Sequence, residues 1–180
     1  MISNVKNPGS AQQVTGFIFR FYETLSSPTP KDTSSSNAFY MQFTPDTLSA
    51  GIILPGSYKV GEITNWRVSV IPKNPIPAGG ILQISFPKWT DASRYSIGAQ
   101  SMLSSGTKTC IVLSGLSSSS LSCTFTVNSI ASGVDTLTIT GAFSAVQTSG
   151  SAFEIEIESV KNMPTCRSYT TFAIQTMDSN

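Results

Sequence analysis

Three cysteines, a row of alternating glutamates and the absence of histidine define the chemistry open to this 180-residue chain. Cys110 opens the stretch CIVLSG, Cys123 lies in LSCTFTV, and the loop GLSSSSL falls between them. Both stretches read as strands, which places the two thiols for a disulfide between neighbouring strands. Closing so short a loop contributes roughly 3 kcal/mol on the chain-entropy account. The competing reading is a pair of free thiols buried as small apolar groups. A secreted setting, argued below from composition, favours the bond. Cys166 is left over, either free or bonded to another subunit. With no histidine and no C-x-x-C, three cysteines do not build the usual zinc site.

Glu154, Glu156 and Glu158 alternate along one apparent strand, so all three face one way, while Phe153, Ile155 and Ile157 face the other. Such a row would suit calcium or a basic partner. Alternation alone explains it as the solvated face of a strand whose other face fills a core. Asp32, Asp46, Asp91 and Asp135 are scattered and form no calcium loop. The lack of histidine removes Ser-His-Asp and Cys-His nucleophilic sites. G-x-S-x-G, Walker A and G-x-G-x-x-G sequences are also missing. A carboxylate pair of the glycosidase type has no obvious candidate. Trp66 starts an alternating strand and reads as a core or rim residue, and Trp89 with Tyr95 is a weak candidate for stacking on sugar. The expectation is a protein that is not an enzyme, with no catalytic residues, no metal site and no cofactor.

The elements that must carry these residues are strands. Charged residues make up 12% of the chain, about half the usual share. Ser and Thr fill the gap, alongside Val, Ile and Phe, as in extracellular all-β proteins. The net charge of +1 nominates no partner. There is no basic stripe for nucleic acid, and no apolar run is long enough to span a bilayer. Period-two alternation predicts strands over 14–22, 38–43, 66–71, 81–86, 109–113, 121–127, 135–140, 152–160 and 169–176. The stretch 51–60, broken by Pro55 and Gly56, reads as short edge pieces. Residues 25–37, LSSPTPKDTSSSN, read as a loop. The connection PKNPIPAGG between the strands at 66–71 and 81–86 combines fixed and permissive φ, which makes a stiff, shaped link. The fold class expected is all-β: an Ig-like β-sandwich of about nine short strands with Greek-key-like connections.

The end of the chain also repeats its beginning. Ile2, Val5, Lys6, Asn7, Thr15 and Phe17 recur as Ile157, Val160, Lys161, Asn162, Thr170 and Phe172, each pair 155 positions apart without a gap. Phe19 aligns with Ile174, Arg20 with Gln175 and Val14 with Tyr169. Such a period marks a repeat architecture. One domain seats only one copy of a given strand in a given slot, so the other copy serves a neighbour, in tandem or between chains. Met1 aligns with Glu156 in mid-strand, which favours a segment cut from a longer chain. The organisation expected is an N-terminal strand segment over 1–25, linking or donated to a neighbour. A sandwich core over 26–160 follows, then the start of the next repeat, or an inter-subunit strand, over 161–180. Val14, Phe17, Phe19, Phe21, Tyr169, Phe172 and Ile174 are the candidate inter-subunit strand residues, since an open sheet edge accepts a strand through its main chain.

The phrases NPIPAGGILQISFP and VKNP followed by TGFIF resemble repeat domains of large extracellular proteins of protists and algae, the cell-surface and flagellar-hair (mastigoneme-like) proteins built from tandem Ig-like modules. The resemblance covers about half of the chain and rests on strand and turn phrases. It implies a structural, often glycosylated, surface role and carries over no catalytic residues. No N-x-S/T acceptor is present, because Asn128-Ser-Ile and Asn37-Ala-Phe both fail, so sugar would be O-linked. The candidates are Ser26, Ser27, Thr29, Ser34, Ser35 and Ser36, with Ser117–Ser120 as a second cluster. The function expected is a structural subunit or repeat of an extracellular filament at the cell surface. Its partners are copies of itself, with glycans as further partners. The alternative is a single Ig-like adhesin or carbohydrate-binding module.

Overall fold

The computed structural model of the chain describes residues 19–21, 32–34, 47–91, 97–118, 120–129, 134–163 and 172–177. The chain divides into two units, Met1–Pro45 and Asp46–Asn180. In the first, β1 (Phe19–Phe21) pairs antiparallel with β2 (Asp32–Ser34), Phe19 opposite Ser34 and Phe21 opposite Asp32. Residues 25–37 are therefore not wholly loop: β2 finds a partner despite the prolines before it. The strand expected over 38–43 lies outside the described residues.

In the second unit, alternating sequence becomes two antiparallel sheets. One holds β3 (Ala50–Pro55), β4 (Ile63–Ile71), β9 (Cys110–Ser114) and β12 (Phe153–Lys161), in the order β3-β4-β12-β9. The other holds β5 (Ile81–Phe86), β8 (Gly106–Lys108), β10 (Ser122–Thr126), β11 (Asp135–Thr140) and β13 (Ala173–Met177), in the order β13-β5-β11-β10-β8. A small separate pair joins β6 (Trp89–Asp91) to β7 (Ile97–Gln100). No helix occurs among the described residues.

Each sheet turns one set of alternate side chains inward. Val68, Val70, Ile155 and Ile157 from the first sheet meet Leu82, Ile84, Phe86, Phe125, Leu137 and Ile139 from the second in one apolar cluster, all of them inaccessible to solvent. This is the face-to-face packing of a sandwich, and each such side chain contributes roughly 1.5–3 kcal/mol by leaving water. Near the end of β12 the alternation is broken on purpose. Ser159 takes a left-handed φ of 59°, and the pairing with β4 shifts between Ile157 and Val160. The bulge lets Ile157 and Val160, three residues apart, both point into the core.

Strand changes between sheets explain the disulfide. Thr109 alone separates β8 from β9, so the chain passes from one sheet to the other within a residue. Cys110 and Cys123 are bonded, with Cα atoms 6.2 Å apart. The sequence reading placed them on neighbouring strands. They lie instead on β9 and β10, which belong to opposite sheets, so the bond staples the sandwich across its core.

The stiff connection at 72–80 closes one end. Ile76 exchanges two backbone hydrogen bonds with Gln147, both 2.9 Å, and the Gly79 N–H donates to the Phe143 carbonyl at 2.7 Å. Ile76 and Phe143 are buried there. Gly80 has to be glycine, since a Cβ would sit 2.7 Å from Ile76 and 3.0 Å from the Pro77 carbonyl oxygen.

Candidate assembly surface

The strand expected to serve a neighbour is placed on its own sandwich. β13 pairs antiparallel with the edge of β5, Ile174 opposite Ile84 and Gln175 opposite Gln83. Phe172, Ile174 and Thr176 turn inward and are half-buried, while Ala173, Gln175 and Met177 face out. Phe172 anchors the strand. Its ring centroid lies 5.6 Å from that of Trp66 and 5.6 Å from that of Phe86, edge-on to the latter at 78°. Ile174 packs over Gly51 of β3, where a Cβ would stand 3.2 Å from its Cδ1. On the outward face, the Gln175 amide donates to Gln83 Oε1.

Among the described residues, β13 is the last strand of its sheet and β3 the last strand of the other, both on this flank of the sandwich. Between them runs a groove of about 320 Å³ lined by Leu48, Gly51, Ile53, Phe172 and Ile174. The outer face of β3 adds Ile52 and Leu54, both about half exposed.

A second feature holds the approach to β13. Trp66 is buried in β4, and its indole Nε1–H donates to Asn162 Oδ1 at 3.0 Å. The Asn162 amide in turn donates to the carbonyls of Ser57, at 2.7 Å, and Lys59, at 2.9 Å. One buried amide thus ties the end of β12, the β3–β4 connection and the core tryptophan. Replacing Asn162 by leucine leaves an indole donor and two carbonyls unpaired and is expected to cost roughly 2 kcal/mol. A urea midpoint unchanged from the parent would contradict that role. Sequence reasoning saw Asn162 as one identity of the repeat and missed its work in the core. The recurrence of a polar residue among apolar ones was the available signal.

The remaining predicted residues fall as follows. Phe19 and Phe21 lie in β1 and Ser34 ends β2, with only their backbone described. Val14, Phe17, Tyr169, Ser26, Ser27, Thr29, Ser35, Ser36 and Cys166 lie outside the described residues. Ser117 and Ser120 are exposed beside the β9–β10 crossing. Glu154 and Glu156 stand on the half-buried outer face of β12, where Glu156 Oε1 accepts from the Asn65 amide at 2.9 Å. Asp135 lies where the strand expected over 135–140 begins. It begins β11, fully buried, 3.4 Å from the Lys88 ammonium. Among the described residues, no group of three or more His, Cys, Asp or Glu could hold a metal, and no helix is long and apolar enough to cross a membrane.

Comparison with protein-family models, with curated proteins and with solved structures returns no match for the chain.

Proposed function

We propose that this chain is a structural, non-enzymatic building block of an extracellular filament or surface array. In this reading an Ig-like sandwich with Greek-key-like connections is joined head to tail with further copies, by strand sharing or by tandem linkage. One observation carries it: six residues of the closing segment recur near the start of the chain at one constant offset, while its sandwich has one seat for such a segment, already taken by β13. A second copy of a closing strand is useful to another sandwich and to little else. Contacts of this head-to-tail kind generate open filaments unless the rotation between copies closes a ring. The inter-sheet disulfide supports an oxidising compartment, and the low charge and Ser/Thr content agree with a surface role.

The test is the state of the purified chain. Electron microscopy and light scattering are expected to find multimers or fibres that grow with concentration. Phe17→Asp with Phe19→Asp is expected to leave soluble monomers, because two charges on the inward face of the spare strand forbid its burial. A wild-type chain that stays monomeric while binding an immobilised glycan would replace this reading with that of a lone adhesin or carbohydrate-binding module.

A further inference from the structure

We infer that residues 2–23 are the closing segment of a second copy of this sandwich, and that they seat on that copy's β5 edge in the register β13 occupies here. This joint presupposes the assembly reading above and names its acceptor.

The matched positions are those with the most specific demands in the fold. Ile157 and Val160, which the bulge turns together into the core, match Ile2 and Val5. Ser159, held at a left-handed φ of 59°, matches Asn4, and asparagine tolerates that conformation better than nearly any other residue with a side chain. Asn162, the buried partner of the Trp66 indole, matches Asn7. Phe172, packed on Trp66 and Phe86, matches Phe17. Generic strand similarity would reproduce alternating Val and Ile. It would not reproduce a buried amide and an aromatic anchor, with a residue suited to left-handed φ at the bulge position, at one constant offset. Residues 2–23 therefore carry what is needed to lock a Trp66, fill a core and cover a β5 edge, and the sandwich able to receive them is that of another copy whose own closing segment they displace.

The spare strand also suits the groove. β13 turns Phe172, Ile174 and Thr176 inward, and the corresponding residues are Phe17, Phe19 and Phe21. The groove of about 320 Å³ beside Ile174 is left open by β13, and rings at the second and third inward positions bring apolar volume to it. Main-chain pairing would supply affinity and the three rings specificity, as in other strand additions. On the outward side Arg20 replaces Gln175 opposite Gln83, a change that an exposed pair accommodates.

Register makes this testable by cross-linking between full-length chains, both carrying Cys166→Ser. The donor chain carries Arg20→Cys. The acceptor carries Gln83→Cys, together with Phe172→Asp and Ile174→Asp to unseat its own β13. A second acceptor keeps β13 intact and is mixed with donor just below its melting temperature, so the result does not depend on the unseated variant folding. Gln83→Cys with Gln175→Cys in one chain, expected to bond internally, verifies the seat. Under mild oxidation, donor and acceptor are expected to form a reducible dimer through positions 20 and 83. Yield should fall roughly tenfold when the acceptor cysteine is moved to Ser85, two residues out of register, since disulfides tolerate little change in Cα separation. Chains that multimerise with no preference for position 83 over 85 would overturn the β5 seat and leave the assembly reading standing. Chains that form neither multimers nor the bond would overturn both.

Discussion

Replacing Asp135 with alanine is expected to destabilise the sandwich by about 3–5 kcal/mol, the usual cost of removing one partner of a buried ion pair. Asp135 is wholly buried at the start of β11, and the Lys88 side chain beside it is only 5% exposed. Asp135 Oδ1 lies 3.4 Å from the ammonium and accepts the Asn128 N–H at 2.9 Å, while Lys88 also donates to the Asn128 carbonyl. The carboxylate therefore fixes the exit of β5 and the start of the β10–β11 turn at once. Without it, the buried ammonium loses the carboxylate 3.4 Å away and the Asn128 N–H loses its bond to Oδ1. The pair Lys88→Met with Asp135→Leu is expected to recover much of the loss, because replacing both members of a buried ion pair by apolar side chains of similar volume removes their desolvation cost as well. Chemical denaturation of the three variants decides it. A single Asp135→Ala change that moves stability by less than about 0.5 kcal/mol would show the pair to be decorative.

Phe172→Ala is expected to cost about 3 kcal/mol, the lower range for a phenylalanine lost from a core. The lower range applies because Phe172 is half-buried. Its effect is more local than that of Asp135. The ring is the contact that joins β13 to Trp66 and Phe86, and Ile174 alone then holds the strand over Gly51. The expected signature is loss of amide-exchange protection at the β5 amides that face β13, with those that face β11, and with β4 and β12, unaffected. Uniform loss of protection across both sheets would mean that β13 is integral to the core rather than a removable cover.

What the sequence made legible follows from locality. Leu82–Phe86 and Thr136–Thr140 alternate strictly, and the strands there begin within one residue of the alternation and end with it. The core face of β12 was readable for the same reason. By contrast, β8 is Gly-Thr-Lys, with nothing apolar to announce it, and it exists because β10 offers an edge. The sheet membership of Cys110 was hidden because a single residue, Thr109, moves the chain across the sandwich, and only long-range packing determines that step. The two cysteines could be paired from the sequence, yet not assigned to opposite sheets. The candidate site was legible in part. Repetition singled out Phe172 and Ile174, but their seat on β5 depends on pairing 90 residues away in the chain, which period and composition do not encode.

The staple across the sheets has a mechanical consequence for a protein linked end to end. Tension applied through neighbouring copies would travel along the backbone and, on unfolding, draw the chain out to its contour length. The 13-residue separation between Cys110 and Cys123 is short-circuited by the sulfur bridge, so that stretch bears no load and cannot extend. Fully drawn, it would add roughly 40 Å per copy. Were copies linked end to end, an oxidised array would reach its full extension shorter than a reduced one, by about this increment in every copy.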